Sequence, residues 1–404
     1  MKYEDFPFDG LIMDEPRDKN IKLAESLLSK LDVKYKEDEN VNVAPVDVAP
    51  VNVAPVDAAP VDVLHTLNNS NSHADTPRVA EVCRNVFRIP VRLPDNPLRE
   101  LNSYLIRDPE RSLLIDTGFR LSACKEALLA GFNEIGEDPG AVDIFLTHLH
   151  SDHSGLASEI AGEGRRILIS EMDGRLLENL PASVGRWVWN EMRDVLADMP
   201  PDILDNMEKT NPAIVYAPPG GVQYTSVKDD QILYAGGYMF RCILTPGHTP
   251  GHMCLWDENS GLMFTGDHVL FDITPNITAW PAVDDSLGNY LDSLRLIREF
   301  PVKLALPGHR GTGDFHARID ELIRHHNVRL KEVERIVRSS PGLSAYEIAG
   351  QMQWQIRSAS WDEFPAPQKI FAIGECLSHL NYLLIRGVIT HESDAGIPRY
   401  RFAQ

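Results

Sequence analysis

The chain has 404 residues, with 39 Lys and Arg against 59 Asp and Glu, a formal net charge of −20 that opposes unspecific attraction to nucleic acid or anionic lipid. This length predicts two or three domains, and a hydrophobic fraction of 43% excludes a chain that is disordered throughout. The sequence contains no membrane-spanning stretch, no secretory signal and no C-x-x-C pair among its five cysteines. Together these features predict a cytoplasmic protein without disulfides and without a membrane partner.

The first predicted region, residues 1–78, is an acidic tail that carries a five-residue repeat. Units of the form V-[ND]-V-A-P run through residues 41–63. Proline at every fifth position removes a backbone donor and fixes φ, which disfavours a regular helix or a central strand. We therefore predict a disordered tail whose repeat forms an extended linker.

Deletion of residues 1–75 is accordingly expected to leave folding and turnover nearly intact. The repeat has too few large apolar side chains to bury against a core. Thermal unfolding of the full-length and shortened chains measures this directly. A melting temperature lowered by more than a few degrees in the shortened chain would show that the tail docks on the folded part.

The second predicted region, residues 79–315, alternates short apolar strands with helical stretches, which is typical of a layered α/β fold. A helical, tryptophan-bearing stretch at residues 171–212 interrupts this rhythm. We predict that it is an insertion that caps the substrate site. The predicted helix covers 122–135, and the predicted strands cover 86–91, 103–106, 112–116, 144–147, 241–245, 252–256, 263–265 and 303–305.

The third predicted region, residues 316–404, has a different pattern. A long amphipathic helix at 320–337 is followed by a capping box, with Ser344 as N-cap and Glu347 three residues later. A helix at 368–386 ends at Gly387, a favourable residue after a helix, and a hairpin follows. Three helices and a β-hairpin predict a winged-helix domain.

The winged helix raises the question of nucleic-acid binding. Positive side chains recur along the 320–337 helix, but glutamates interleave with them, so we interpret this face as solvated and internally ion-paired. Residues 318–404 hold 11 basic and 10 acidic side chains, and the presumed reading helix lacks a basic stretch with aromatics. We expect no nucleic-acid partner, and a domain that packs against the rest of the chain.

The strongest chemical signal is T-H-L-H-S-D-H-S-G at residues 147–155. It crowds four potential metal ligands into six positions directly after a predicted strand. Three more follow strands later, in T-P-G-H, F-T-G-D-H and L-P-G-H-R, in glycine-containing loops that can turn a side chain toward a common point. Imidazole and carboxylate at this density suit a borderline divalent ion such as zinc. The seven residues are His148, His150, Asp152, His153, His248, Asp267 and His309.

Over residues 80–315 the chain resembles the metallo-β-lactamase superfamily. The resemblance is carried by H-x-H-x-D-H, followed in order by G-H, G-D and G-H. The resemblance implies an αββα sandwich with a two-metal site at one edge of its sheets. The ions would be zinc, with iron or manganese as alternatives. By this resemblance His148, His150 and His248 would hold the first ion, Asp152, His153 and His309 the second, and Asp267 would bridge both.

Such a site supplies hydrolytic chemistry without a serine or cysteine nucleophile. Water bound to the cation can have its pKa lowered to about 7. Two ions about 3.5–4 Å apart would hold the resulting hydroxide between them and polarise a carbonyl or phosphoryl oxygen. Asp152 would also orient the hydroxide, or would support the ligands from outside. We predict a hydrolase of a small-molecule thioester, ester or lactone.

Several branches of the superfamily remain open. An aspartate at the bridging position resembles glyoxalase II, lactonases and nucleases more than true β-lactamases. Glyoxalase II carries C-terminal glutathione-binding helices instead of a winged helix, and homoserine-lactone hydrolases carry a tyrosine where this chain has Leu270 and Phe271. The whole chain resembles the β-lactamase-like-protein-2 group. The alternatives are a metal-dependent endoribonuclease or phosphodiesterase, a redox or dehalogenating variant of the same site, and a non-catalytic binding protein.

Four aromatic side chains are candidates for an apolar wall around the substrate. Two lie in the predicted cap and two lie downstream of the seventh predicted strand, and each could equally be a core residue. A homo-oligomer is compatible with the sequence. The four candidates are Trp187, Trp189, Phe271 and Trp280.

Overall fold

The computed structural model describes residues 78–179, 184–192, 198–199, 204, 209–354 and 360–403. The predicted acidic tail, up to residue 77, and parts of the predicted cap lie outside the described residues. Within the described part of the chain, the strands form a seven-stranded sheet, a five-stranded sheet and a two-stranded hairpin.

The seven-stranded sheet follows chain order, so each strand pairs with its neighbours in sequence. Pairing is antiparallel from the first to the fourth strand and parallel from the fourth to the seventh. The carboxyl ends of the fourth, fifth and sixth strands therefore meet at one edge. The strands are β1 (Ala80–Cys83), β2 (Val86–Arg92), β3 (Glu100–Ile106), β4 (Leu113–Ile115), β5 (Asp143–Phe145), β6 (Ile167–Ser170) and β7 (Thr225–Val227).

The five-stranded sheet has the order β12-β11-β10-β9-β8. Its pairs are antiparallel except for β11 with β12, which is parallel. As a result β9, β11 and β12 run in the same direction and also end at a common edge. The strands are β8 (Ile232–Ala235), β9 (Tyr238–Leu244), β10 (Met253–Asp257), β11 (Leu262–Gly266) and β12 (Leu304–Pro307).

Helices cover both outer faces of the two sheets. One short 3₁₀ turn, Pro139–Ala141, precedes β5. The α-helices among the described residues are α1 (Ser122–Ile135), α2 (Ser151–Ser154), α3 (Ala157–Ile160), α4 (Glu171–Asn179), α5 (Val184–Met192), α6 (Pro212–Val215), α7 (Ser286–Arg298), α8 (Phe315–Ser339), α9 (Ala345–Gln351) and α10 (Ala366–Ile385).

The apolar side chains form layers that correspond to this arrangement. Phe145 of the first sheet and Phe240 of the second belong to one buried cluster between the sheets. A second cluster joins Phe132 of α1 to the outer face of the first sheet, and a third joins α7, α8, α9 and α10 to the outer face of the second. The chain is therefore a mixed α/β sandwich with helices outside both sheets, as the sequence predicts.

The predicted elements agree best where a strong boundary signal exists. The predicted helix at 122–135 coincides with α1, which ends at Gly136 with a φ of 75°. The first helix of the C-terminal region, α8, begins at Phe315 rather than at residue 320, because the Asp314 side chain accepts a hydrogen bond from Ala317 N and starts the helix earlier. Strands β1, β7 and β8 and helices α2, α3 and α7 are absent from the prediction.

The C-terminal elements follow the predicted order. Helices α8, α9 and α10 precede a hairpin of β13 (Ile389–Asp394) and β14 (Ile397–Phe402). Both hydrogen bonds of the Ser344–Glu347 capping box are present. The five cysteines are buried and free. Among the described residues, no helix combines the length and apolar character that a membrane crossing requires.

One interpretation of the C-terminal region is wrong in part. The positive side chains of α8 are not all solvated, because His326 and Arg329 are 0% and 5% exposed. Arg329 donates hydrogen bonds to Glu375 of α10, to Glu332 and to the Gln353 carbonyl. The other side of α8 is solvent-exposed at Val328, so helix packing against α10 buries one part of the basic set.

Candidate metal centre

All seven ligand-type residues predicted from the sequence lie together at one edge of the sandwich. Four follow β5, and the others follow β9, β11 and β12. Because these strands end at the same edge, their loops converge there. Within each of three groups the ligand atoms lie within 4.8 Å of one another: a first group of His148, His150 and His248, a second group of Asp152, His153 and His309, and an overlapping group of His148, His153 and Asp267.

The first group consists of three imidazoles. His148 Nε2 lies 3.0 Å from His150 Nδ1. The His248 ring lies edge-on to both, with centroid distances of 4.9 Å to His148 and 4.6 Å to His150. Three imidazole nitrogens that face one point form a donor set that suits zinc.

The second group contains one carboxylate and two imidazoles. Asp152 Oδ2 lies 3.3 Å from His309 Nε2 and 3.8 Å from His153 Nε2. His153 and His309 are both 0% exposed and Asp152 is 8% exposed. This second set of nitrogen and oxygen donors is thus almost closed to solvent.

Asp267 lies between the two groups. Its Oδ2 is 3.7 Å from His248 Nε2 and 3.5 Å from His309 Nε2, and its Oδ1 is 3.5 Å from His153 Nε2. One carboxylate therefore faces a member of the first group and two members of the second. This is the placement that a bridging ligand needs.

The polar atoms at the centre fit a cation. The buried Nε2 atoms of His153, His248 and His309 and the Oδ1 of Asp267 have no hydrogen-bond partner among the described residues. Buried polar groups without partners are rare and costly, so their convergence calls for a ligand. Gly308 makes room here, since a Cβ at this position would lie 2.6 Å from Asp267 Oδ1 and 2.9 Å from His153 Cε1.

Asp116, which the sequence analysis does not single out, orients the second group. It follows β4 with a φ of 59°, a left-handed conformation that aspartate tolerates better than most residues. Its carboxylate accepts hydrogen bonds from Thr147 N at 2.8 Å, Thr147 Oγ1 at 2.8 Å and His153 Nδ1 at 2.7 Å. With its Nδ1 proton held by Asp116, His153 presents the lone pair of Nε2 to the centre.

Other ligand histidines are oriented in the same way. His248 Nδ1 donates to the Asn276 carbonyl at 2.9 Å, and His309 Nδ1 donates to the Glu100 carbonyl at 2.8 Å. His148 Nδ1 lies 3.0 Å from Thr147 Oγ1, whose proton is already given to Asp116. Four of the five ligand histidines thus have Nδ1 anchored, which leaves Nε2 free to bind a cation.

Two further residues connect the ligand loops, and neither is predicted from the sequence. Asp173 of α4 accepts hydrogen bonds from Leu149 N, Thr249 Oγ1 and Gly251 N, and so ties the loop after β5 to the loop after β9. Burial raises the pKa of Asp173 to about 7 although these three donors favour the carboxylate. His252 Nε2 accepts from Asp267 N and its Nδ1 lies 2.8 Å from Thr245 Oγ1, so both ring nitrogens are already partnered and His252 supports the centre from behind Asp267.

The metal-free centre has a definite charge pattern. Burial and neighbouring histidines hold the pKa of His148 well below its usual value and lower that of His150 to about 3. Burial opposes charge on His309 as well, but Asp267 and Asp152 outweigh it and raise the pKa of His309 to about 10. Burial likewise opposes a lower pKa for Asp152, yet His153 and His309 bring it to about 2.

These pKa values predict that metal binding releases protons. His309 is protonated at neutral pH in the metal-free protein, and the pKa of His153 is raised in the same direction by Asp116, against the effect of burial. An imidazole must lose its extra proton to bind a cation, so the affinity for Zn²⁺ is expected to rise with pH, by about tenfold per pH unit for each proton released. Calorimetric titration in buffers of different ionisation enthalpy measures the proton count. Affinity that is constant between about pH 6 and 8 would contradict this charge pattern.

The predicted cap and aromatic wall are only partly described. Trp280 is 5% exposed, stacks on His150 with centroids 6.0 Å apart, and donates Nε1 to the His248 carbonyl. Phe271 is half-buried and packs on the helical cluster outside the second sheet. Helix α5 includes Trp187 and Trp189, whose side chains lie outside the described residues.

The described part of the predicted cap packs beside the metal-ligand loop. Val184 at the start of α5 shares a buried cluster with Leu149 and Trp280. Met172 and Leu176 of α4 complete the cluster. The insertion therefore begins next to the histidine-rich loop, which is the position that a cap over the centre requires.

Sequence comparison and structure comparison with known proteins both indicate one family. The Metallo-beta-lactamase superfamily profile matches residues 97–309, more than half of the chain. The lactamase-like protein nscB of Neosartorya fischeri is 26% identical over 314 residues, which cover 72% of this chain and 78% of that protein. The lactamase-like protein adaB of Aspergillus niger is 28% identical over 263 residues, with 64% and 65% covered.

Two solved structures are similar over most of the chain. A metallo-beta-lactamase family protein from Thermus thermophilus is 26% identical, with a TM-score of 0.65, and the match covers 79% of this chain and 98% of that one. A beta-lactamase domain protein from Burkholderia ambifaria is also 26% identical, with a TM-score of 0.69 and coverage of 85% and 100%. The chain belongs to the metallo-β-lactamase superfamily, whose members are generally hydrolases.

Proposed function

We propose that this protein is a two-metal hydrolase of a small-molecule thioester, ester or lactone. The observation that carries the proposal is the convergence of seven ligand-type side chains on one buried point, where four of their atoms have no hydrogen-bond partner among the described residues. The order of the ligands in the sequence and the superfamily membership support it further.

In this proposal the ligands divide into two sets that share Asp267. His148, His150 and His248 would hold the first ion, and Asp152, His153 and His309 would hold the second. The ions would lower the pKa of a coordinated water and polarise the electrophilic oxygen of the substrate. Imidazole and carboxylate donors favour Zn²⁺, with iron or manganese as alternatives.

The residues of the chain contribute position, charge and exclusion of water. Asp152 is ionised at neutral pH, so its carboxylate can accept a hydrogen bond from the attacking water and orient it. Asp116 and the backbone carbonyls of Glu100 and Asn276 fix the imidazole orientations before substrate arrives. The cluster that includes Trp280 keeps one side of the centre dry, which strengthens electrostatic interactions there.

A panel of model substrates tests the reaction class. We expect the zinc-loaded protein to hydrolyse a generic acyl thioester, an ester or a lactone faster than a phosphodiester, and the chelated protein to lose this activity. A dehalogenating or other variant chemistry would appear as inactivity toward all four compounds. Phosphodiester turnover above carbonyl turnover would favour the alternative of a nuclease or phosphodiesterase.

The C-terminal region, which we propose to be a winged helix, supports the choice against a nuclease. Its last helix, α10, is the one that would enter a nucleic-acid groove. Much of this helix is buried inside the protein, however, including Ile373, Cys376 and Leu380. Residues 318–404 carry 11 basic and 10 acidic side chains, so the region as a whole has almost no net positive charge to attract a phosphate backbone.

We therefore predict that the protein binds mixed RNA or DNA no more tightly than about micromolar at physiological salt. A fluorescence titration against labelled single- and double-stranded oligonucleotides measures this. Affinity well below micromolar that weakens steeply with added salt would favour the nuclease alternative, because such dependence reports release of counterions from phosphates.

A further inference from the structure

Residues 276–280, here called the bridging segment, lie between the metal centre and helix α10. Both ends of the segment contact the first group of ligands. The Asn276 carbonyl accepts the Nδ1 proton of His248, and Trp280 Nε1 donates to the His248 carbonyl at 3.0 Å. The Trp280 ring also stacks on His150. The segment therefore fixes both the ring and the backbone of His248.

At its other side the bridging segment is bound to α10 by three hydrogen bonds. Ser378 Oγ donates to the Ile277 carbonyl at 2.6 Å, and Ala279 N donates to the Gly374 carbonyl at 3.1 Å. Asn276 Nδ2 donates to the Phe371 carbonyl at 3.1 Å. The α10 residues that make these bonds, Phe371, Gly374 and Ser378, recur along one face of the helix. The whole bridging segment therefore lies against that face.

The contact at Gly374 leaves no space between helix and segment. A Cβ at this position would lie 2.2 Å from Thr278 Oγ1 and 3.1 Å from Thr278 Cβ. Ser378 and Gly374 are both buried, and Ile277 is 0% exposed. A displacement of α10 must therefore displace the bridging segment with it.

Helix α10 is itself fixed by buried polar pairs with α8. His379 Nδ1 donates to the Glu375 carbonyl, so its Nε2 accepts the proton of His326 Nδ1 at 3.2 Å. Glu375 also accepts a hydrogen bond from Arg329, whose guanidinium is 7% exposed. The C-terminal helices thus form a rigid support for the bridging segment.

We propose that α10 is a positioning element of the metal centre, which sets the orientation of His248 through the bridging segment. The proposal rests on the proposed function, since it assigns Ser378 and Gly374 an effect on the first ion. It gives the C-terminal region a role in metal binding rather than in nucleic-acid recognition. The coupling runs through two hydrogen bonds to His248 and three to α10, with no contact between α10 and any ligand required.

Two substitutions test the coupling at the face of α10. Ser378→Ala removes the hydrogen bond to Ile277, and Gly374→Ala forces Thr278 away from the helix. In the full-length protein each should weaken the affinity of the three-histidine group for Zn²⁺ by about 10- to 100-fold, the usual effect of losing support behind a ligand. Competition with a chromophoric chelator measures the two zinc affinities, and the visible spectrum of bound Co²⁺ reports the altered ligand field.

A matched control separates positioning from loss of stability. Ser344→Ala removes another buried serine of the C-terminal region, the cap of α9, and should lower the melting temperature without changing zinc affinity or the Co²⁺ spectrum. In a second control, Thr278→Ala is combined with Gly374→Ala. Removal of the Thr278 hydroxyl relieves the closest contact, so the double variant should recover most of the affinity that Gly374→Ala loses.

The outcomes distinguish the two proposals. A wild-type protein that binds neither Zn²⁺ nor Co²⁺ would overturn the proposed function and this coupling with it. A wild-type protein that binds both ions, with zinc affinity and Co²⁺ spectrum unchanged in Ser378→Ala and in folded Gly374→Ala, would overturn the coupling alone. Equal effects of Ser344→Ala and Ser378→Ala would also overturn it, because the effect would then follow stability.

Discussion

Replacement of Asp267 by alanine is expected to lower hydrolysis by about a thousandfold or more and to leave the chain with fewer than two bound ions. The carboxylate lies within 3.7 Å of ligands from both groups, so its removal deprives each ion of a donor. The charge stabilisation that an ion provides is several kcal/mol, and about 1.4 kcal/mol corresponds to a factor of ten in rate. Metal analysis and turnover, measured on the same sample, test both parts.

Asp272→Ala provides a matched control for this substitution. Asp272 lies five residues further along the same loop and accepts one hydrogen bond from Gly311 N, but it belongs to none of the three ligand groups. Its loss should leave two ions bound and most of the activity intact. Full activity in Asp267→Ala, with two ions still bound, would end the assignment of Asp267 as the shared ligand.

Asp116→Ala should be the most damaging change outside the ligands themselves. It leaves three donors of Thr147 and His153 without their acceptor in a region that is at most 2% exposed. Unpaired buried donors cost about 1–3 kcal/mol each, so the free energy of unfolding should fall by about 3–5 kcal/mol. His153 also loses the acceptor that fixes its tautomer, and zinc affinity should fall by about 10- to 100-fold.

The control for Asp116 lies at the other end of strand β5. Asp143 is 1% exposed and accepts hydrogen bonds from Arg166, at the end of this three-residue strand that is opposite to the ligand loop. Asp143→Ala should therefore destabilise the fold while the zinc affinity of the folded protein stays unchanged. Denaturant unfolding and chelator competition on both variants separate the two effects. Equal zinc affinity in the two variants would show that Asp116 has only a structural role.

The ligands of the centre can be predicted from the sequence because the pattern is local and dense. H-x-H-x-D-H places four donors within six positions, and a buried strand end directs them to the edge of a sheet. His248, Asp267 and His309 follow strands in the same manner. Because these strands all end at the same edge of the sandwich, the ligand residues that follow them lie close together.

The supporting residues cannot be predicted in this way. Asp116 is a single aspartate after a three-residue strand, and its partners are 31 and 37 positions away. Asp173 lies inside the stretch predicted as a cap, yet its partners Leu149 and Thr249 are 24 and 76 positions away. Only the tertiary fold joins such distant residues. The weak available signal for Asp116 is the sequence L-L-I-D-T-G, a buried strand that ends in an aspartate.

The burial of α8 shows the same limitation at the level of packing. Interleaved charges at helical spacing are typical of a solvated face. Arg329 nevertheless lies inside, because Glu375 of α10 supplies a buried partner 46 positions away and the ring of Trp354 lies under its guanidinium at 4.2 Å. A periodic pattern identifies the helix but does not identify the element that covers it.

Native mass spectrometry of the zinc-loaded full-length chain tests the central claim most directly. Seven ligand-type side chains, three in each of two groups with Asp267 between them, predict a mass increase that corresponds to two zinc ions per chain. The metal-free chain prepared with a chelator should return to this mass when zinc is added. A folded chain that binds one ion or none under saturating zinc would contradict the two-metal centre.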